Sequence, residues 1–409
     1  MMIGIDHWIS INSNLQQGGV LMKKLVFSRR NIFKFLCILA GVLVFAAPLT
    51  STASDVGPKI KVMTRNLYLG ADIFRVVDAA SNPATIPYVV GQVYNIMLET
   101  NFSARANAIA DEIAANKPQV IGLNEVEAFY KISPTTGNVT NTIDFYTILN
   151  TALKARRMDY QAFSVKNADI TMPMVDSTGF SYVRMVDHDY ILVRKGNTAA
   201  QVLAKNYDYY LSLSIGGTPV EFKRGYIVVD VNVKGEDYRI ACTHPEVRSA
   251  IGSVFRFVQS AQMHELLTTL NTLSTGDPKP VIMVGDFNSS PEDVPGYYGP
   301  YPYVPPYMQA VAAGYLDTWL LQSKYDEGYT SGFDEFVSDP DPTLLDTRID
   351  LVWLKTFDLL LLDKVSCDVV GNEITDMVLN TYPSPRTYAG PYLWPSDHAG
   401  VVSNIKFLP

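Results

Sequence analysis

The sequence predicts an α+β fold, and three observations carry that expectation. Segments with helical spacing are interspersed with short apolar runs, so both element types share the chain. Gly235-Glu236-Asp237 is a turn signal between two strand-like runs, so the sheets cannot be purely parallel. The composition, 47% hydrophobic and 18% charged, is that of an ordinary globular protein. A length of 409 residues would allow two or three domains, although mixed layers of this size often form one.

The elements follow in order. Lys59–Thr64 alternates as a first strand ending at Arg65-Asn66, and residues 78–100, with Pro83 and Pro87, read as a loop or irregular insertion. Ser103–Asn116 carries Ala106, Ile109, Ala110 and Ile113 at helical spacing, and Lys117-Pro118 ends it. Val120–Leu123 is a buried strand and Asp144–Arg157 a second amphipathic helix. Tyr160–Val165, Tyr190–Arg194, Gly225–Val233 and Tyr238–Thr243 are strands. Ser253–Leu270 is a helix, Val281–Val284 a strand and Tyr307–Leu320 largely helical; Ile349–Leu354 and Val401–Phe407 are the closing strands. Pro291–Pro306 and Thr381–Pro395, rich in Tyr, Pro and Gly, are loops whose tyrosines are placed for substrate contact.

Residues 1–53 are expected to lie outside the fold. Met22 reads as the start of a basic stretch with Ser28-Arg29-Arg30, followed by the apolar run Phe35–Ala47 and the small residues Ser51-Thr52-Ala53. That order is an export signal, similar to a twin-arginine leader, and implies a periplasmic or secreted protein. The leader is basic, so its removal leaves residues 54–409 more acidic than the formal −8 of the whole chain. Acidity counts mildly against duplex binding, which needs a basic face. Cys242 and Cys367 are either one disulfide or two buried thiols.

The chemistry concentrates at the ends of apolar runs. Val284–Asn288 (VGDFN) delivers Asp286 and Asn288, expected to project together from one strand face. Glu125 follows Ile121–Leu123, Asn66 follows the first strand, and Asp350 sits in Arg348–Leu354. His244 and His398 sit beside apolar runs, with Pro245 and Asp397 as neighbours; His188 and His264 read as structural. An oxygen-rich set with two imidazoles suits a hard divalent cation and acid–base chemistry on a phosphate ester. Zinc is disfavoured, since no Cys/His cluster exists. Arg224 could clamp phosphate, and Asp189 is a weaker candidate.

In order, TRNL, GLNEVE, THP, VGDFN, RIDLVWL and SDH resemble the motif series of the endonuclease/exonuclease/phosphatase superfamily, with its deoxyribonuclease-I-like fold. The resemblance covers roughly residues 59–409 and implies one domain, a four-layered αββα sandwich with the site at one end of two packed sheets. It implies Glu125 as principal metal ligand, supported by Asn66 and Asp397. Asp286 and Asn288 would position water and a phosphate oxygen. His398 is implied as general base oriented by Asp350, and His244 as transition-state stabiliser or proton donor. Whether Asp286 or His398 takes the water's proton stays open. Mg²⁺ is the expected cofactor, with Mn²⁺ as substitute. Asn124 stands where the family usually shows Gln, and Pro245 where Leu is commoner.

The resulting expectation is an exported, Mg²⁺-dependent phosphodiesterase, monomeric and without a stable protein partner. Its substrate is a nucleic acid or a phospholipid headgroup, so a nuclease and a sphingomyelinase or phospholipase-C-like hydrolase are both open. A catalytically silent binding protein on the same fold is the competing class. Its signature would be loss of a member of the constellation, and none is lost.

Overall fold

The computed structural model describes residues 57–248, 252–323 and 326–409; the expected leader lies outside them. Its elements open with β1 (Lys59–Asn66), α1 (Phe74–Asp78), α2 (Ile86–Glu99) and α3 (Phe102–Asn116). β2 (Val120–Asn124), β3 (Ala128–Ile132), β4 (Val139–Asp144) and α4 (Phe145–Ala155) follow. A long hairpin, β5 (Tyr160–Asp176) and β6 (Gly179–Arg194), precedes β7 (Thr198–Asn206). Next come the small hairpin β8 (Leu211–Ile215) and β9 (Thr218–Phe222), then β10 (Gly225–Val233), β11 (Glu236–Thr243) and α5 (Ser253–Ser274). β12 (Val281–Asp286), the short β13 (Gly296–Tyr298) and β14 (Tyr301–Tyr303), α6 (Pro306–Ala312) and β15 (Leu316–Asp317) are next. β16 (Asp350–Lys355), β17 (Leu362–Val370), β18 (Val378–Leu379), β19 (Tyr392–Leu393) and β20 (Gly400–Phe407) complete the order.

Two mixed sheets result. One runs β17-β20-β1-β2-β6-β3-β4, with β5 also paired to β6; the other runs β15-β16-β12-β11-β10-β7. β1–β2 and β11–β12 are parallel pairs within otherwise antiparallel sheets. Alternation along each strand sorts its side chains between two faces. Ile60, Val62, Val120, Ile191, Val401 and Ile405 of the first sheet share one core with Ile227, Val229, Ile240, Ile282, Val352 and Leu354 of the second. The opposite face of the first sheet packs against α2, α3 and α4 through Met63, Ile121, Ile109 and Leu149. That of the second packs against α5 and α6 through Met283, Trp353, Leu266 and Ala310. These three cores make four layers, helix, sheet, sheet and helix, as the motif series implied.

Two glycines set the closeness of this packing. A Cβ on Gly122 would lie 2.4 Å from Val284 Cγ2 of the facing sheet, so glycine lets the sheets approach there. Gly285 has φ +149°, and a Cβ there would lie 2.0 Å from Thr243 O. The glycine of VGDFN is therefore what allows β12 to lie beside β11 immediately before Asp286.

Several expectations are corrected. Residues 86–99 form a helix: Pro87 stands in its first turn, where a missing N–H costs nothing. The β10–β11 turn is Lys234-Gly235, both with positive φ as a two-residue hairpin requires, so Glu236 and Asp237 belong to the strand. The 307–320 segment is α-helical to Ala312 and forms a 3-10 turn from Thr318; between them Gly314 turns left-handed (φ +84°) and the short strand Leu316–Asp317 intervenes. The strands expected at 160–165 and 190–194 are the ends of a much longer hairpin. Part of the Pro291–Pro306 loop folds as the β13–β14 hairpin. Of the two alternatives for Cys242 and Cys367, the structure takes the buried free thiols.

Candidate active site

The inner-face rows that build the core also deliver the site. Ile60-Val62 continues by alternation to Thr64 and Asn66, Ile240-Cys242 to His244, and Ile282-Val284 to Asp286. Asp350 begins the row that continues with Val352 and Leu354. Each row is apolar in the middle of the sandwich and polar at one end. There the carboxylates, amides and imidazoles converge, almost wholly buried.

Asp286 Oδ2 is the hub. Asn66 Nδ2 donates to it at 3.1 Å, His244 Nε2 lies at 3.4 Å and His398 Nε2 at 3.8 Å. The same Asn66 nitrogen donates to Glu125 Oε1 at 3.1 Å, while Asn66 Oδ1 accepts from the Tyr68 amide. Asn66 thus bridges the carboxylates of Glu125 and Asp286. Glu125 Oε2 accepts from the Leu69 amide at 2.7 Å. Glu125 has left-handed backbone (φ +53°), which ends the β2 alternation.

The two imidazoles are held differently. His398 Nδ1 meets Asp350 Oδ2 at 2.8 Å. Burial alone would push the His398 pKa down, but Asp350, Asp397 and Asp286 outweigh it and hold it well above the ordinary value. His244 Nδ1 lies 2.9 Å from Arg224 Nη1. A guanidinium can only donate, so Nδ1 accepts and the proton sits on Nε2, facing Asp286. Burial opposes ionisation of Asp286, but His398, His244 and the Asn288 amide hold its pKa far below the usual range. Asp397 goes the other way: burial and the nearby Glu125 raise it to about 7, against the pull of His398.

Asp286, Asp350, His398, His244, Glu125 and Asn66 are therefore joined by direct contacts, with Asp397 beside them. Asn288 departs from the expected pattern. β12 stops at Asp286 and Asn288 is left-handed (φ +48°), so its amide donates to Pro245 O at 3.2 Å instead of projecting beside Asp286. Its backbone N–H donates to Asp286 Oδ1 at 2.8 Å. Arg224 is occupied with His244 and stands 4.0 Å from Asp187. His264 is exposed, and His188 lies near the Tyr190 ring.

Sequence reasoning passed over two groups. Asn124 Oδ1 accepts the Asp286 amide at 2.9 Å, and its Nδ2 donates to Asp189 Oδ1 at 2.7 Å and to Thr243 O at 3.1 Å. This one amide ties the two sheets together behind the site. Its position at the end of the Val120-Gly122 row was the available signal. Arg105, fully buried, donates to the carbonyls of Thr100, Leu67, Pro395 and Tyr68 and so fixes three site loops. Desolvation lowers its pKa to about 10. An arginine within the apolar Phe102–Ile109 helical stripe was the clue.

The donor set fits a hard divalent cation. Asp350 Oδ1 is buried without a partner, and single ligand atoms of Asp286, Asp350 and His398 lie within 4.8 Å of one another. The carboxylates of Asp286, Asp350, Glu125 and Asp397 gather in one corner, and a cation there would offset the burial and the Glu125 repulsion that raise Asp397.

A scan against family descriptions matches residues 93–398 to the endonuclease/exonuclease/phosphatase family. Among curated proteins none matches significantly. Similar solved structures include an endonuclease/exonuclease/phosphatase from Beutenbergia cavernae DSM 12333, at 19% identity and TM-score 0.48, covering 85% of this chain and 72% of that one. A mannosyl-6-phosphatase from Bacteroides thetaiotaomicron VPI-5482 has 14% identity and TM-score 0.48, covering 86% and 100%. The human Nocturnin catalytic domain has 18% identity and TM-score 0.45, covering 86% and 95%. With the family match spanning most of its length and the motif residues gathered at one end of the sandwich, this chain belongs to the endonuclease/exonuclease/phosphatase family.

Proposed function

We propose that the protein is an exported, Mg²⁺-dependent phosphodiesterase. The observation that carries this reading is the convergence of two oppositely supported imidazoles on one Asp286 oxygen, 3.4 and 3.8 Å away. A phosphodiester is anionic, so its hydrolysis needs positive charge for the phosphoryl oxygens and a group to manage the water's proton. Glu125 and Asp397 would hold the cation, with Asn66 keeping Glu125 in place. When bound, Mg²⁺ supplies charge neutralisation to the phosphoryl group and a point of attachment for it.

The chain's own residues do the rest. Asp286, fixed by Asn66, Asn124 and the Asn288 amide, orients the attacking water. With His398 in its neutral form, the water's proton passes to the pair formed by Asp286 Oδ2 and His398 Nε2, and Asp350 fixes the tautomer of His398 through Nδ1. His244 presents its Nε2 proton to the phosphoryl or leaving oxygen, with Arg224 holding the ring from behind.

A Mg²⁺-dependent hydrolysis panel tests this reading: bis-p-nitrophenyl phosphate, plasmid DNA, RNA, sphingomyelin and phosphatidylcholine. Metal-dependent turnover of at least one diester, lost in Glu125→Gln, is expected; inactivity on all five would overturn it. For export, the N-terminal residue of protein recovered from a bacterial periplasm should fall near Ala53, and an intact Met22 there would contradict the leader.

A further inference from the structure

One inner-face row ends in a carboxylate that the hydrolysis does not use. Val193 and Ile191 of β6 lie in the core between the sheets, and by alternation their row reaches Asp189 at the end that carries the site. Asp189 is fully buried, and burial and the neighbouring Asp187 hold its pKa above the ordinary value. A carboxylate in such a place is costly unless hydrogen bonds meet it. Here each oxygen is met by an amide: Oδ1 accepts from Asn124 Nδ2 at 2.7 Å, and Oδ2 from Asn167 Nδ2 at 2.9 Å.

Asn124 carries that constraint to the site. The parallel register of β11 and β12 runs as far as Cys242 opposite Val284. One step further, the Asn124 side chain stands between the two strands like a rung. Its Nδ2 donates to Thr243 O at 3.1 Å, and its Oδ1 accepts the Asp286 N–H at 2.9 Å. Thr243 directly precedes His244, so one amide holds the backbone at both His244 and Asp286. Turned end for end, the amide would set donor against donor at Asp286 and acceptor against acceptor at Thr243. An ionised carboxylate only accepts, so Asp189 permits one orientation of Asn124. Asp286 Oδ2 stands 3.4 Å from His244 Nε2, and that approach depends on where the two backbones are held.

We propose that Asp189 is a positioning residue for the hydrolysis: it locks the Asn124 amide, and that amide sets how Asp286 and His244 face each other. The inference rests on the phosphodiesterase reading and adds to it a residue that acts only through Asn124. A displacement of reacting groups by about 1 Å can cost roughly 10²-fold in rate, so a loosened rung should show in kcat and leave KM nearly unchanged.

The test compares Asp189→Leu with Asp189→Asn, using bis-p-nitrophenyl phosphate and Mg²⁺. Both variants remove the charge and keep a branched side chain of similar shape, but only the asparagine can still accept from Asn124 Nδ2. Its own amide has a partner within reach, because Asn167 Oδ1 is buried without one and that side chain can turn. Asp189→Leu should lower kcat by about 10- to 100-fold with KM within about twofold, and Asp189→Asn should stay within about threefold of the parent. Should the leucine variant fail to fold, Asp189→Ala removes the acceptor without adding bulk. Equal kcat in the variants with and without the acceptor would overturn the proposal. Deuterium exchange of the Asp286 N–H in the metal-free protein separates this inference from the reading beneath it. Losing the acceptor should speed that exchange at least about fivefold relative to the Ile282 N–H in the same strand, and the asparagine variant should not. If the parent hydrolyses no diester, the phosphodiesterase reading fails, while this exchange contrast still supports Asp189 as the lock on Asn124. Exchange that is the same in both variants overturns the proposal whatever the activity.

Discussion

The two histidine corners differ in what stands behind the ring. His398 is backed by a carboxylate, Asp350, and His244 by a guanidinium, Arg224. Both rings are buried and both point Nε2 at the same Asp286 oxygen. An acid behind one ring stabilises its imidazolium, and a cation behind the other opposes it. One carboxylate between two such rings therefore faces a ring backed by an acid on one side and a ring whose Nδ1 is committed to a guanidinium on the other. Identical residue types acquire distinct roles from the partner at Nδ1, a contact that strand alternation alone does not reveal.

Removing each ring is the bluntest way to break this comparison. His398→Ala should lower kcat for bis-p-nitrophenyl phosphate by roughly 10³–10⁴-fold, near the upper end of what a positioned acid or base supplies. His244→Ala should cost about 10²–10³-fold, as for loss of one transition-state donor. Far-ultraviolet circular dichroism should show both variants folded, and a variant keeping most of its turnover would remove that ring from the mechanism.

Exchanging the supports sharpens the contrast. Asp350→Asn takes away the largest influence raising His398, so its pKa should fall. Arg224→Ala takes away a charge that lowers His244, so its pKa should rise. Imidazole proton resonances of the metal-free protein, followed against pH, should move in these opposite directions; parallel movement would mean the supports are not distinct. Rates should drop about 10-fold or more in the Asp350 variant, since the ring then loses its fixed tautomer.

The smallest effect concerns stability at the His398 corner. Asp397 titrates at about 7 in the fold against an ordinary 3.8. A carboxyl raised on folding contributes stability that is complete below its unfolded pKa and is lost as pH rises through the folded one. The metal-free protein should therefore lose on the order of a few kcal/mol between about pH 4 and pH 7 from this group. Asp397→Asn should flatten that decline and raise the metal-free melting temperature by a few °C above about pH 7. Added Mg²⁺ should narrow the difference between variant and parent, since a cation beside Asp397 favours its ionised form. Identical pH profiles for the two metal-free proteins would place Asp397 outside the charged corner.

Much of this site was legible because strands repeat every two residues. Asn66, His244, Asp286 and Asp350 lie on rows whose apolar members mark the inner face, and a polar residue ending such a row must stand where the sandwich opens. The pattern failed where the backbone leaves the strand. Asn288 was expected beside Asp286, but a left-handed residue has no strand parity. Asn124 read as a harmless replacement, although its amide spans two sheets more than one hundred positions apart in sequence. Residues 78–100 read as irregular because Pro83 and Pro87 look like breakers; Pro87 stands where helices accept one.

The sequence by itself determined the alternation of helices and strands, which residues face the shared core, and the inventory of oxygen and imidazole groups, because these follow from local periodicity and side-chain chemistry. Only the tertiary structure decided which groups meet: Arg224 behind His244, Asp350 behind His398, and Asn124 across the sheets. Hydrogen bonds and charge interactions act over a few ångströms in space, and the chain places those partners dozens to hundreds of residues apart.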